Sequence, residues 1–173
     1  MDTQTDTPVV YTIPQWTYPY FPTSHTNCTT YKNMKRHKPK TTDVIETNLH
    51  IAHMFLETPI AVPLADEIVL QDLAQNCTYM TRTAVHPLLL AFFVEGFSEV
   101  RIEKQTLLAD EKSAIVEFIF YGHHKSVFLS IPATGKRVIV PMVLVCQIAD
   151  GYIHHIRWYY DAGTLLRQLG LAL

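Results

Sequence analysis

The stretch that most restricts the fold lies near the end of the chain: "RVIVPMVLVCQIADGYIHHIRWYYD", residues 137–161. The run is dense in apolar, β-branched and aromatic residues, the composition of strands, whose side chains alternate between two faces with a period of two. Asp150-Gly151 interrupts the run with a dipeptide suited to the left-handed conformations of a two-residue hairpin turn. A hairpin this long, with one apolar face, requires further strands and a covering layer to be stable.

Upstream the same period recurs in "EVRIEKQTLLAD" and "SAIVEFIFYGHHKSVFLSI", with turns expected near Asp110-Glu111 and Thr134-Gly135. Before these strands the period lengthens. Asp43, with Glu46 three residues on, predicts a capped helix over 43–57 that aligns Ile45, Leu49, Ala52 and Leu56. "PLADEIVLQDLAQ" reads as a shorter helix, "NCTYM" as a short strand and "HPLLLAFFVEGF" as a third helix with Pro87 in its first turn. Helices followed by an antiparallel sheet make an α+β domain over residues 43–173. Residues 1–42 stand apart. Pro8, Pro14, Pro19, Pro22 and Pro39 exclude helix and central strand there, while Tyr11, Trp16, Tyr18, Tyr20 and Phe21 predict an extended arm that packs on something.

Composition narrows the function classes. Charged residues make up 17% of the chain, against roughly 25% in an average soluble domain, and apolar residues need either a partner or a pocket. A net charge of -2 gives no footprint for nucleic acid. No run approaches the roughly 18 apolar residues that span a membrane, and "MDTQTDTPVV" lacks the basic start and apolar core of a secretory signal. Cys28, Cys77 and Cys146 are odd in number and far apart, which predicts reduced thiols and a cytoplasmic location. The sequons at Asn27 and Asn76 then read as chance. Six glycines form no phosphate loop, His50 and His53 lack the further ligands of a metal site, and no serine sits in a Gly-x-Ser-x-Gly setting.

Four words in the second half, "GHHKSVF", "IPATGKRV", "ADGYI" and "YYDAGTLLRQLG", resemble the SnoaL-like polyketide cyclases. Those proteins carry a glycine-histidine segment, a "PPTGR" turn, "DGKI" and an aromatic-Asp-x-x-Gly-Leu-Leu-x-Gln-Leu-Gly ending. They belong to the cone-shaped superfamily of nuclear transport factor 2, scytalone dehydratase and ketosteroid isomerase. The resemblance covers roughly residues 43–173 and is most specific over 122–170. It implies the cone-shaped (cystatin-like) fold, with N-terminal helices on a curved antiparallel sheet enclosing a pocket. It also implies a cofactor-independent enzyme of secondary-metabolite biosynthesis, a cyclase or isomerase acting on an apolar polyketide or terpenoid intermediate by acid–base chemistry. A homodimer is implied too, since cone-fold domains commonly pair through their sheets; the other expected partner is the small apolar substrate, with no role for nucleic acid or membrane.

Asp161 matches the aspartate that the family places in its cavity as acid or base. A carboxyl among apolar walls is raised towards a useful pKa; the competing reading is a cap for the helix beginning near Ala162. Strand alternation puts His155, Arg157 and Tyr159 on the face of Asp161. Arg157 would hold an enolate or carboxylate and His155 would relay a proton. Glu117 interrupts the apolar run "AIVEFIFY", as a second cavity acid paired with Arg157 or as a solvent-facing residue. Tyr79 or Thr78 stands where related folds present a polar group to substrate. Of His123 and His124 only one faces inward, and His123 joins Tyr79, Thr78 and Tyr159 as a substrate-binding candidate. A pericyclase that works by shape would read the same in sequence. An epoxide hydrolase like the limonene enzyme needs an Arg-x-Asp pair, and residues 113–121 hold no arginine. A non-catalytic binding module, as nuclear transport factor 2 itself is, fits the low charge but not the enzyme-like C-terminal motif.

Overall fold

The computed structural model describes residues 40–171; the proline- and aromatic-rich arm and Cys28 fall outside them. Helix α1 (Thr41–Glu57) is followed by a 3-10 turn at Pro59–Ala61, strands β1 (Leu64–Asp72) and β2 (Cys77–Met80), and helix α2 (Arg82–Leu90), which continues as a π-helical segment over Ala91–Glu95. Then come β3 (Phe97–Ala109), β4 (Ser113–His124), β5 (Arg137–Ala149), β6 (Tyr152–Tyr160) and helix α3 (Ala162–Leu169). One sheet holds the strands in the order β2-β1-β6-β5-β4-β3. Every neighbouring pair is antiparallel except β1 and β6, which run parallel, so the sheet is mixed where an antiparallel one is expected from the hairpins. Among the described residues no helix is long and apolar enough to cross a membrane.

Three expectations need correction. Residues 64–72, expected as helix, form β1, because Leu70 and Asp72 pair with Ile156 and Trp158 on one side and with Tyr79 and Cys77 on the other. Those pairings outweigh the local helix preference of Ala, Glu, Leu and Gln. Helix α2 starts at Arg82, so Pro87 sits inside it instead of in the first turn; the wider π-helical turn begins four residues later. Finally, β4 stops at His124, and the chain beyond makes a separate tight turn in which Phe128 pairs with Ile131. Leu129 and Ser130 at its tip both have positive φ, 49° and 64°. The Asp150-Gly151 turn forms as expected, with φ of 51° and 79°.

Helix α1 begins slightly ahead of the expected start. Asp43 sits in its first turn and accepts the Lys40 backbone N–H at 3.3 Å, so it closes the helix start from inside instead of as the first cap. The buried side of α1 carries Asn48, Ile51, Ala52 and Phe55. Asn48, almost fully buried, donates its amide to the Asp110 carbonyl at 2.8 Å and so ties α1 to the turn between β3 and β4.

Alternation divides the sheet cleanly. Val116, Phe118 and Phe120 of β4, Val140, Met142 and Leu144 of β5, and Ile156 and Trp158 of β6 point to the buried face. The helices cover that face with Phe55, Leu89, Phe92 and Phe93. Phe92 lies 4.5 Å from both Phe128 and Trp158, ring centre to ring centre, and Phe93 stacks on Trp158 at 5.9 Å and 6°. The middle of the cone is thus packed with rings, and open space is left near its end, where β1 and β6 finish.

Candidate functional site

The motif "YYDAGTLLRQLG" joins the last strand to the last helix. Asp161 is the N-cap of α3: its carboxylate accepts the Thr164 backbone N–H at 2.9 Å and the Thr164 hydroxyl, with Arg167 at 4.0 Å. The Thr164 hydrogen bonds, ahead of Arg167, hold this carboxyl below its ordinary range. At 61% exposure the side chain stands in solvent. Gln168 then takes over where β6 ends; its amide donates to the Ile139 carbonyl at 3.0 Å and accepts the Ile139 N–H at 2.6 Å, replacing a strand along that edge of β5. Gly170, with φ of 89°, closes the helix in a conformation that favours glycine. Asp161 therefore has the placement of a cap, and it does not line the apolar cavity described below.

The residues expected to share a cavity with Asp161 lie on the outer face. His155 pairs with Val69 and Gln147, Arg157 with Gln71 and Val145, and Tyr159 with Val143. The inward positions of β6 are Ile156, Trp158 and Tyr160, one residue out of step with that expectation. Glu117 is exposed on the outer face, in the cross-strand row of Val143 and Tyr159. Arg157 belongs to the next row, with Val145 and Ile115, and among the described residues neither Glu117 nor Arg157 is in an ion pair. Thr78 is exposed opposite Gln71. Of the paired histidines, His124 is buried and His123 faces outward, where it meets Glu99 and Arg137.

Tyr79 is placed differently. It pairs with Leu70, packs on the core, and has its phenol pushed up by burial first and then by Cys77 and Asp72. That last neighbour marks a polar cluster that the sequence reading did not foresee. Asp72 ends β1 with no exposed surface. Its Oδ1 accepts the backbone N–H groups of Ala74 and Gln75, each at 3.1 Å, and its Oδ2 accepts the Gln75 amide at 2.7 Å and the Tyr160 hydroxyl at 3.0 Å. The Gln75 amide also donates to the Tyr160 oxygen at 2.7 Å. A buried carboxylate is tolerated on these terms, since both oxygens are satisfied. Burial first, then the Asp72 charge, drives the Tyr160 phenol well above its ordinary value of 10.0, so it stays protonated at neutral pH.

Tyr160 and Gln75 open onto an apolar cavity of about 240 Å³ whose walls include Leu129, Ile131, Leu165 and Leu166. The tight turn at Leu129-Ser130 supplies one wall, and its positive φ values are strain of the kind held in place by a surrounding structure. Tyr160, unlike Asp72, lines the cavity, and Asp72 sits behind it as its hydrogen-bond acceptor. Such a chain, from cavity to phenol to carboxylate, can pass a proton or steady an oxygen at the cavity surface. The signal that could have found it is the alternation Ile68, Leu70, Asp72, which carries an acid along the buried face of β1. Elsewhere His53 pairs with Glu57 at 3.6 Å, and among the described residues no group of three His, Cys, Asp or Glu side chains gathers to hold a metal.

Comparisons with known proteins agree with this architecture. The SnoaL-like polyketide cyclase family profile matches residues 63–169. A structure assigned as a SnoaL-like polyketide cyclase from Jannaschia sp. CCS1 has a TM-score of 0.67 at 15% identity, covering 79% of this chain and 100% of that one. TsrD from Streptomyces laurentii has a TM-score of 0.61 at 19% identity, covering 78% and 100%. A Catenulispora acidiphila DSM 44928 protein with a ketosteroid isomerase-like fold, solved with trimethylamine, scores 0.56 at 18% identity over 77% and 96%. These likenesses show the cone fold. No curated protein gives a significant match. With the family profile spanning more than half of the sequence and the six-stranded cone beneath it, the chain belongs to the SnoaL-like polyketide cyclase family.

Proposed function

We propose that the protein is a cyclase or isomerase of secondary metabolism that moves a proton on an apolar polyketide or terpenoid intermediate. The observation that carries this reading is the Tyr160 hydroxyl, held between Asp72 and Gln75 at the wall of a leucine-lined cavity. In the reaction the substrate C–H bond breaks and its proton passes to the Tyr160 oxygen, while the phenol's own proton moves to Asp72 Oδ2. The electron pair stays on the substrate as an enolate. Return of the proton at another atom completes an isomerisation, and attack of the enolate on a second carbonyl closes a ring. Gln75 steadies the phenol oxygen throughout. No arginine belongs to this cluster, which weighs against the epoxide hydrolase reading.

The test is turnover of a panel of polyketide and terpenoid intermediates, read by mass spectrometry for wild type and Tyr160→Phe. Product from wild type and a loss of about 100-fold or more in the variant, with thermal stability kept, supports the relay. Equal turnover by both proteins would leave a pericyclic reaction, driven by the shape of the cavity; binding without product would leave a binding module.

We propose further that the protein works in the cytoplasm, where Cys77 and Cys146 remain thiols, and as a homodimer. The outer sheet face exposes Ile115 and Tyr159, Tyr159 to 40%, and Val143 lies half-buried between Glu117 and Tyr159. Sedimentation is expected to give twice the 19.8 kDa chain mass, and Val143→Lys to give the monomer. A wild-type monomer at micromolar concentration would remove the proposal.

A further inference from the structure

A second cavity, about 380 Å³, lies on the outer face of the sheet, where β3 and β5 begin and β4 ends. Its walls include Glu99, Arg101, Tyr121, His123, Arg137 and Ile139. It is separate from the Tyr160 cavity: Tyr121 and His123 point outward, whereas their neighbours Phe120 and His124 are buried on the other side of the sheet.

A chain of polar groups runs along one wall. The Arg137 Nε–H donates to His123 Nε2, and His123 Nδ1 lies 3.1 Å from Glu99 Oε2. Accepting at Nε2 requires the imidazole proton on Nδ1, so the Arg137 bond selects the tautomer whose N–H side lies beside the Glu99 carboxylate. Glu99 has φ of 52° and sits where the register of β3 against β4 shifts, between Ser98 and Arg101. This bulge, in a conformation rare for a residue other than glycine, re-aims the Glu99 side chain towards His123.

The other wall is already neutralised. Arg101 lies 3.7 Å over the centre of the Tyr121 ring and bonds Glu103 at 2.7 Å, and Glu103 also accepts the Tyr121 hydroxyl at 3.2 Å. Arg137, by contrast, has no carboxylate partner among the described residues. Its Nε is used by His123, which leaves the terminal N–H groups of the guanidinium for a ligand, with Ile139 as an apolar neighbour.

We infer that this cavity binds a monocarboxylate carried on a small apolar body, with Arg137 as the charged partner and Glu99–His123 as the positioning pair. A planar guanidinium matches the two oxygens of a carboxylate, which a lysine in its place would not. A single negative charge fits because Glu99 and Glu103 already stand in or beside the walls; a phosphate dianion would meet their repulsion. The volume lies in the range of small-ligand pockets.

Calorimetric titration of the full chain with benzoate and with octanoate tests this, with inorganic phosphate as a separate arm. Wild type is expected to bind one equivalent of a carboxylate at millimolar or lower concentration and to ignore phosphate. Arg137→Gln is expected to weaken binding at least about tenfold, Arg137→Lys not to restore it, and Tyr160→Phe to leave it unchanged. Circular dichroism and Tm matching wild type would show that the variants are folded. The inference is overturned by no binding of either carboxylate at about 10 mM, by phosphate binding as well as carboxylate, or by undiminished binding to Arg137→Gln. Loss of binding in Tyr160→Phe in place of the Arg137 variants would move the ligand to the inner cavity and overturn it too.

Discussion

Asp72→Ala is expected to lower the unfolding free energy by roughly 3–5 kcal/mol, and Tm by about 10 °C. The carboxylate accepts four hydrogen bonds from inside the domain, and water does not reach the site to replace them. Two of the donors are backbone N–H groups in the turn between β1 and β2, so that turn loses the bonds that shape it. The Tyr160 hydroxyl and one Gln75 N–H lose their acceptor at the same moment. Asp72→Asn keeps the size and one oxygen, and is expected to cost less than half as much. Urea unfolding of the three proteins, with equal m values, measures both differences. A loss under about 1 kcal/mol for the alanine variant would mean that the cluster is wetter and looser than its geometry indicates.

Trp158→Ala is expected to cost a similar amount, about 3–5 kcal/mol. The indole has no exposed surface, stacks on Phe93, touches Phe92 at 4.5 Å between ring centres, and lies 5.8 Å from Tyr160. Removing it leaves a cavity that rings on two layers cannot close, and frees the Tyr160 ring on one side. Trp158→Phe distinguishes packing from hydrogen bonding. The indole N–H is buried without a partner among the described residues, so phenylalanine removes an unsatisfied donor along with the lost volume. Its expected cost is therefore well below that of alanine, and denaturant titration gives the comparison. Equal costs for the two variants would show that the indole N–H has a partner after all.

Both of these positions bear on what could be read from the chain. The long strands were legible because the apolar, β-branched and aromatic runs "RVIVPMVLVCQIAD" and "YIHHIRWYY" are a local signal, as was the turn at Asp150-Gly151. The α+β class followed from the change of period between the upstream helices and these strands, and the family words lie within residues 122–170. Strand β1 was not legible as a strand, since what holds "LADEIVLQD" extended is a parallel neighbour near the far end of the sequence. Asp72 was lost with it. On β6 the phase went wrong because Asp161 was used to set which residues face inward. Ile156 and Trp158, the apolar members of the strand, set it the other way and bring Tyr160 to the cavity in place of Tyr159. Tyr79 needed no such phase: its pairing with Leu70 turns it towards the core. Asp161 illustrates a general point about motif residues. A family word can be held in place by the joint it builds, here a cap, a paired edge and a left-handed glycine, and a matched aspartate inside it is not thereby a proton donor.

The measurement that bears most directly on the site is kcat/KM for wild type, Tyr160→Phe and Asp161→Asn on one substrate that wild type turns over, each with its Tm. If the chemistry lies at the inner cluster, Tyr160→Phe loses about 100-fold or more while Asp161→Asn stays within a few-fold of wild type and melts slightly earlier. Retained turnover in Tyr160→Phe, with a collapse in a folded Asp161→Asn, would contradict that placement and return the proton transfer to the end of β6.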